Sequence, residues 1–419
     1  MKILYLCPDL GIPVLGRKGA SVHVRAMVTA LTKAGHSVIL ASSLLNKSPW
    51  EEPAPTNARL LSLAPKEDVL ESVLALKAFN ETVGVENSLP GELRRILHNQ
   101  DLVTRLKHRF ENDPPDFIYE RASIYATAGI SLAQELKRPI LIELNAPLAI
   151  EQSTYRATGL GDLAAQAERW MLLRADAVLT VSSALKQYVM SLGVKSQKVF
   201  SLPNGVDPSF FKPKPPNFEI RARWGLGEGP LLGFVGGLRP WHGVEVLPTL
   251  LDRLGRRHSN LHLAIVGNGP LRSKLEHDLR ERGLTQKAIF TGSMPHERVA
   301  ELIPQFDVAL APYSQPEHSF YFSPLKIFEY MACGIPVVAA RLGQVEEVMR
   351  DGETGLLYPP GDLDALTKAC DRLLLDSDLR RQLGKAAAKE IHSHYTWDHN
   401  ASRVLELAHS LIAARKEVR

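Results

Sequence analysis

The chain has 419 residues, 45% of them hydrophobic and 23% charged. That is an ordinary globular balance, with enough apolar matter for two cores. A net charge of +4 and an isoelectric point near 8.8 suit phosphate-bearing ligands or an anionic surface, and are too small to argue for nucleic acid. Cys7, Cys333 and Cys370 stand far apart, with no CxxC and no Cys/His cluster. This speaks against a disulfide framework or a zinc site and for a reducing cytoplasm.

The opening "MKILYLCPD" is a short apolar run without a cleavage signature and reads as a first strand, not a signal peptide. No run of about 18 apolar residues follows, so any membrane contact is expected to be peripheral. After "KILYLC", the strand-like runs "SVILAS", "FIYE", "PILIEL" and "AVLTVS" alternate with helical stretches such as "SVHVRAMVTALTKAGH". Such alternation predicts a parallel sheet covered by helices on both faces. "PNGVDPSFFKPKPP" is dense in proline and reads as an inter-domain linker. The alternation restarts with "LLGFVGG", "LHLAIVGNG", "AIFTG", "DVALAPY" and "IPVVAA". Two doubly wound domains in tandem are expected, with ligands at the carboxyl ends of their strands.

Four loops after strands stand out. In "DLGIPVLGRKGASVHV", Gly16 and Gly19 flank Arg17 and Lys18, and Ser21 lies near the next helix start. A glycine-bearing turn opening a helix presents free N–H groups and a positive dipole end to a phosphate. The spacing is not GxGxxG, and the plain alternative is an ordinary strand–helix turn. In "FVGGLRPWHGVEVL", Gly236 and Gly237 precede the cations Arg239 and His242, which face the ligand if the strand ends there. In "IVGNGP", Gly267, Asn268 and Gly269 would let a flat ligand lie against the backbone. In "FSPLKIFEYMACGIPVVAA", Ser323 and Pro324 open a helix with Lys326 in its first turn and Glu329 one turn on. Its free N–H groups suit a diphosphate. A carboxylate with two acceptor oxygens suits the two hydroxyls of a ribose. The neighbours of Glu329 look buried, and a buried glutamate wants a partner.

"GASVHVRAMVTALTKAGHSV", "ADAVLTVSSALKQYV", "LPNGVDPSFF", "GNGPLRSKL", "SPLKIFEYMACGIPVVAA" and "DGETGLLYPPGDLDAL", in this order, resemble the retaining glycosyltransferases of family 4. The resemblance covers nearly the whole chain. It implies the α/β GT-B fold, with two facing Rossmann-like domains, an acceptor-binding one over 1–205 and a donor-binding one over 206–395. A C-terminal helix, 396–419, would cross back onto the first domain. It further implies a hexosyltransferase that takes a nucleotide-sugar (UDP, GDP or ADP type), uses no cofactor and no metal, and acts on a glycan, lipid-linked or small-molecule acceptor.

Carried over residue by residue, the resemblance assigns Arg239, Lys326, Gly19 and Asn145 to catalysis. Donor binding falls to Gly237, His242, Gly267, Asn268, Gly269, Tyr321, Ser323, Pro324, Leu325 and Glu329, and the acceptor side to Lys18, His23 and Glu143. Arg239, Lys326, His242 and the helix N–H groups would stabilise charge on the departing diphosphate. The chain departs from the family pattern at several places. Tyr321 stands in place of the first of two glutamates, with Glu317 near but out of register, and Glu329 matches the second. Gly237 and His242 fall where the family has Arg and Lys, with Arg239 displaced by two. Lys18-Gly19 replaces Gly-Gly, and Asn145 replaces a frequent histidine. No general base is evident. A non-catalytic nucleotide-sugar-binding protein and a nucleotide-sugar epimerase are the rival readings.

One further segment, Glu92 to Phe110, is basic and amphipathic. It would either touch an anionic membrane or a lipid-linked acceptor, or pack on its own domain with a solvated basic face.

Overall fold

The computed structural model describes residues 1–47, 53–155, 158–315 and 320–417. The chain divides into two compact units, one of Met1–Pro203 with Asp398–Arg419, the other of Asn204–Trp397.

The first unit runs β1 (Lys2–Cys7), α1 (Gly19–Lys33), β2 (Ser37–Ser42), β3 (Arg59–Ser62), α2 (Glu67–Thr82), α3 (Leu89–Phe110), β4 (Phe117–Arg121), α4 (Ala128–Glu135), β5 (Ile140–Leu144), α5 (Leu148–Tyr155), α6 (Gly161–Arg174), β6 (Ala177–Thr180), α7 (Ser183–Ser191) and β7 (Val199–Ser201). Its sheet has the order β3-β2-β1-β4-β5-β6-β7, with every pairing parallel. The inner strands are apolar on both faces because helices cover both: β1, β4, β5 and β6 are buried almost throughout. The edge strands β3 and β7 are short and partly exposed, so they carry no continuous apolar run, and the sequence reading missed them.

The second unit runs α8 (Phe218–Arg223), β8 (Leu231–Val235), α9 (Leu247–Gly255), β9 (His262–Val266), α10 (Arg272–Glu281), β10 (Ala288–Gly292), α11 (His296–Leu302), β11 (Val308–Ala311), α12 (Leu325–Ala332), β12 (Val337–Ala340), α13 (Gln344–Val348), β13 (Leu356–Tyr358), α14 (Leu363–Leu375) and α15 (Ser377–His394). Its parallel sheet has the order β10-β9-β8-β11-β12-β13. A final helix, α16 (Trp397–Glu417), begins at the last residue of this unit and continues into the first.

In each sheet the strand order reverses once, between β1 and β4 and between β8 and β11. A parallel α/β sheet opens a crevice at that point, beyond the carboxyl ends of the strands.

The proline-rich stretch is not a free spacer. Val206 N donates to Tyr395 O at 2.9 Å and Val206 O accepts from Trp397 N at 3.2 Å. Phe211 is fully buried, and Asn217 N donates to Gln305 Oε1 at 2.7 Å. The stretch does begin at the boundary between the two units, but Val206, Phe211 and Asn217 tie it to the second unit, while Phe210, Pro213, Pro215 and Pro216 stay exposed.

Candidate functional site

The crevice of the second unit is built from the loops after β8, β9 and β11 and the start of α12. Gly236 N donates to Val266 O at 2.9 Å, and Leu238 N to Asn268 O at 3.1 Å. A Cβ on Gly267 would lie 2.0 Å from Gly236 O, and one on Gly269 2.5 Å from Leu238 O. These two glycines therefore serve the close approach of two backbone loops. The exposed Asn268 turns its side chain onto the neighbouring Gly269 N at 2.9 Å. Gly243, at φ +64°, sits where a Cβ would be 1.9 Å from Pro312 O, and Ser314 Oγ donates to Pro240 O at 3.1 Å. The loops flanking the strand-order reversal are thus tied to each other.

Under this turn lies Lys326, the second residue of α12, which is 8% exposed. Its Nζ has no hydrogen-bond partner among the described residues. It stands 4.2 Å from the Phe234 ring centroid and 5.2 Å from that of Tyr313. A Cβ on Gly236 would come within 2.7 Å of it, so the amine sits directly beneath the Gly236-Gly237 turn. Burial pushes its pKa down to about 7, against the pull of the Glu329 charge. An amine desolvated in this way, with aromatic faces as its neighbours, is a cation waiting for an anion.

His242 does not serve as a second cation. Its Nδ1 lies 2.5 Å from Gly237 O. A carbonyl only accepts, so Nδ1 carries a proton. Burial first, and Lys326 second, push the imidazole down to about 3. The expected phosphate-stabilising charge on His242 is corrected to a neutral ring with an acceptor nitrogen. Arg239 is exposed, with its guanidinium 5.2 Å from the Trp241 ring centroid.

Pro324 occupies the cap position of α12 and is followed by Leu325 and Lys326, whose N–H groups lack intrahelical acceptors. Ser323 is engaged within the unit: its Oγ accepts from Asn204 N at 3.0 Å and its carbonyl from Asn204 Nδ2 at 2.6 Å. Tyr321 is buried against Phe322, with ring centroids 4.4 Å apart. Glu317 lies outside the described residues. Glu329 is buried, and its Oε1 accepts from His296 Nε2 at 2.7 Å. The partner expected for Glu329 thus exists, and it is a residue the sequence reading did not name. The available signal was a histidine opening a helix just after a strand, in "TGSMPHERV".

In the first unit, α1 starts at Gly19 with Lys18 at its cap. Arg25 Nη1 donates to Val14 O and Gly16 O, each at 2.7 Å, and so holds the loop that leads into the helix. Lys18 Nζ reaches Gly11 O at 2.9 Å. The hydroxyl of Ser21 is buried without a partner among the described residues.

Beneath the loop lies a buried charged cluster. Glu143, 2% exposed, accepts from His23 Nε2 on Oε2 at 2.9 Å, with Oε1 at 2.8 Å from the same nitrogen, and from Arg121 Nη1 on Oε1 at 2.8 Å. It also accepts from Tyr119 OH and Asn145 Nδ2. Burial pushes the carboxyl up, but His23, Arg121 and Tyr119 together overcome it and hold Glu143 well below the usual carboxylate range. The structure thus brings the predicted residues His23, Glu143 and Asn145 together and adds Arg121 and Tyr119. Those two stand on β4, opposite Glu143 and Leu141 on β5, and only the register of the two strands makes them neighbours.

The apolar face of α3 is not free for a membrane. Leu102, Leu106 and Phe110 are fully buried within the first unit, and Lys107 pairs with Glu135. Of the two readings of Glu92 to Phe110, this packing agrees with a helix laid on its own domain. Among the described residues no helix is long and apolar enough to cross a membrane, and no group of three or more His, Cys, Asp or Glu is placed to hold a metal ion.

Two parallel sheets, each with its crevice at a strand-order reversal and one of them holding an unpaired buried cation, make a two-domain α/β protein, and the matches that follow place it in the glycosyltransferase GT-B type. Residues 17–210 match the family described as Glycosyltransferase Family 4, and residues 217–390 match Glycosyl transferases group 1. The chain belongs to these family 4-type glycosyltransferases.

A GDP-mannose-dependent α-(1-6)-phosphatidylinositol monomannoside mannosyltransferase of Mycolicibacterium smegmatis is 32% identical over 248 residues, which span 58% of this chain and 64% of that protein, just under two thirds of its length. A glycogen synthase of Mycobacterium tuberculosis is 25% identical over 403 residues, 95% of this chain and 92% of its own. Among solved structures, sucrose-phosphate synthase from Thermosynechococcus elongatus superimposes with a TM-score of 0.71 at 21% identity, over 99% of this chain and 100% of that one. The last likeness is one of fold.

Proposed function

We propose that the protein transfers a sugar from a nucleotide-sugar donor to an acceptor hydroxyl with retention of anomeric configuration, the second unit holding the donor and the first the acceptor. The observation that carries this is the unpaired buried amine of Lys326 beneath the Gly236-Gly237 turn, three residues before Glu329 on the same short helix. A diphosphate meets the amine and the free N–H groups of α12. A ribose meets Glu329. The name of the smegmatis relative, which specifies a GDP-mannose donor, favours a nucleotide-sugar.

In the transfer, the bond between the anomeric carbon and the phosphate oxygen breaks, and its electron pair goes to the diphosphate. Lys326, the α12 N–H groups and Arg239 stabilise that charge, which grows only as the bond breaks. The acceptor oxygen bonds to the anomeric carbon from the face the diphosphate leaves, and its proton passes to the departing phosphate oxygen. No carboxylate nucleophile is required. Glycans, lipid-linked sugars and small molecules all fit as acceptors, and a cytoplasmic setting fits the three free buried thiols.

The test is incubation with UDP-, GDP- and ADP-sugars and an acceptor panel, with free diphosphate and product measured and the new linkage assigned by NMR. Release of diphosphate with an inverted linkage rejects retention. The buried Tyr321, where the family pattern has glutamate, favours a second reading as a nucleotide-sugar-binding protein; tight donor binding without turnover on any acceptor would select it. An altered donor sugar with no transfer would select an epimerase.

A further inference from the structure

Lys326 and Glu329 sit three residues apart on α12, a spacing at which opposite charges on a helix normally meet. Here they do not. Glu329 acts on Lys326 only as a neighbouring charge, and Nζ makes no hydrogen bond among the described residues. The carboxylate is instead turned to His296, whose Nε2 lies 2.7 Å from Oε1. The carboxylate accepts, so Nε2 carries the proton and donates. The histidine is itself held: it is the first residue of α11, and its ring packs on the fully buried Phe211 at 4.8 Å between centroids. Phe211 therefore fixes His296, and His296 fixes Glu329.

We infer that His296 is a positioning residue, which holds the Glu329 carboxylate toward the ribose of the nucleotide and off the Lys326 amine, leaving each charge open to its own part of the ligand. The inference rests on the donor-site reading above. The effect is preorganisation: a carboxylate free to rotate would have to give up its pairing with the lysine before reading the ribose, and that loss would be subtracted from binding. With Oε1 anchored, no described donor reaches Oε2, which is the oxygen left for ribose hydroxyls.

The experiment compares UDP, GDP and ADP with their 2′,3′-dideoxy counterparts, by calorimetry, on the full-length protein. The wild type should prefer the ribose form of whichever diphosphate it binds. His296→Phe keeps the ring against Phe211 but cannot donate. It should reduce the ribose preference by on the order of tenfold, the scale of one hydrogen bond to a charged group, with the melting temperature retained. His296→Gln, which can donate, should keep most of the preference. In a Glu329→Ala background, His296→Phe should have no further effect on it. A ribose preference unchanged by His296→Phe overturns the inference while leaving the donor site standing, as does equal loss of preference in the Gln variant. A wild-type protein that binds none of the diphosphates overturns the donor-site reading and the inference with it.

Discussion

Lys326 and Glu120 are both buried ionisable groups with no hydrogen-bond partner at the charged end among the described residues, yet they have opposite uses. Lys326 titrates near pH 7 in the unliganded protein, and a diphosphate binds only its charged form well. Binding should therefore be strongest below about pH 7 and weaken as the pH rises from 7 to 9, by up to about tenfold per unit. The diphosphate itself is essentially fully ionised over that range. Lys326→Met should bind more weakly and without this slope. A flat wild-type profile in calorimetry between pH 7 and 9 would show that the amine is not the anion's partner.

Glu120 lies on β4, facing away from Glu143, where a Cβ on Gly129 of α4 would collide with its Oε2. Burial alone raises its pKa to about 8. Between the ordinary carboxyl value of 4.5 and 8, the folded protein keeps this proton while the unfolded chain has lost it. The folded state then binds more protons, so stability falls as the pH rises through that window, by roughly 1.4 kcal/mol per unit, and levels off above it. Glu120→Gln should melt above the wild type at pH 8, with the gap closing toward pH 5; an equal gap at both values would contradict this. Nothing in the transfer chemistry uses Glu120. The motif residues around Lys326 were legible because each sits in a short local signature. His296, Tyr119, Arg121 and the silence of His242 were not, because each depends on which strand or helix lies next to it.

At the scale of elements, the glycines of the β8 and β9 loops illustrate how a local signal can mark a position without giving its whole cause. Gly-Gly and Gly-Asn-Gly after apolar strands mark the crevice correctly. Gly267 and Gly269 must be glycine because the two loops approach each other there, with Gly236 N bonded to Val266 O and Leu238 N to Asn268 O, whereas a Cβ on Gly236 would meet the Lys326 amine and Gly237 has room for one. Gly267 also has φ +142°, which side chains rarely adopt. Gly267→Ala should therefore cost about 1–3 kcal/mol or more in stability through strain and overpacking, and should weaken diphosphate binding because the Gly236-Gly237 turn above Lys326 moves. Thermal melts and calorimetry on the same sample check both; a variant with wild-type stability would mean that the loops are not in contact as described. Strands followed the same logic of local signal. The central ones were readable as continuous apolar runs. The edge strands β3, β7 and β13 are three or four residues long and are created by pairing rather than by composition.

For the whole molecule, the decisive segment is the end of the chain. Residues from Asp398 onward belong to the first unit. Within it Val404 and Ala408 are fully buried, with Leu405 nearly so, while Arg415 pairs at 2.8 Å with Asp176, which also accepts from Ile140 N of β5. A chain ending at Asn400 should lose these contacts. At about 1.5–3 kcal/mol for a buried aliphatic side chain, the loss is a large part of the stability of one domain. The melting transition of the truncated protein should fall by several degrees at least. A truncated protein with an unshifted melt would show that α16 is a passive tail.

What the sequence by itself determined is everything that depends on near neighbours along the chain. Apolar runs of four to six residues, alternating with amphipathic stretches, specify two parallel α/β sheets, because a strand buried on both faces must be apolar throughout. The order of motifs specifies the family, and the loops after strands mark the crevices at the strand-order reversals. Only the tertiary structure decided which charges are paired and which are free. The electrostatics of a buried group depend on contacts between residues far apart in sequence. Glu143 is held ionised by His23 and Arg121, 120 and 22 residues away, and Glu329 is anchored by His296, 33 residues away. Lys326 is left unpaired beneath a turn whose own register was set by another strand. Such pairings carry no local signature, since water is excluded and partners are assigned only when the sheets close and the helices pack on them.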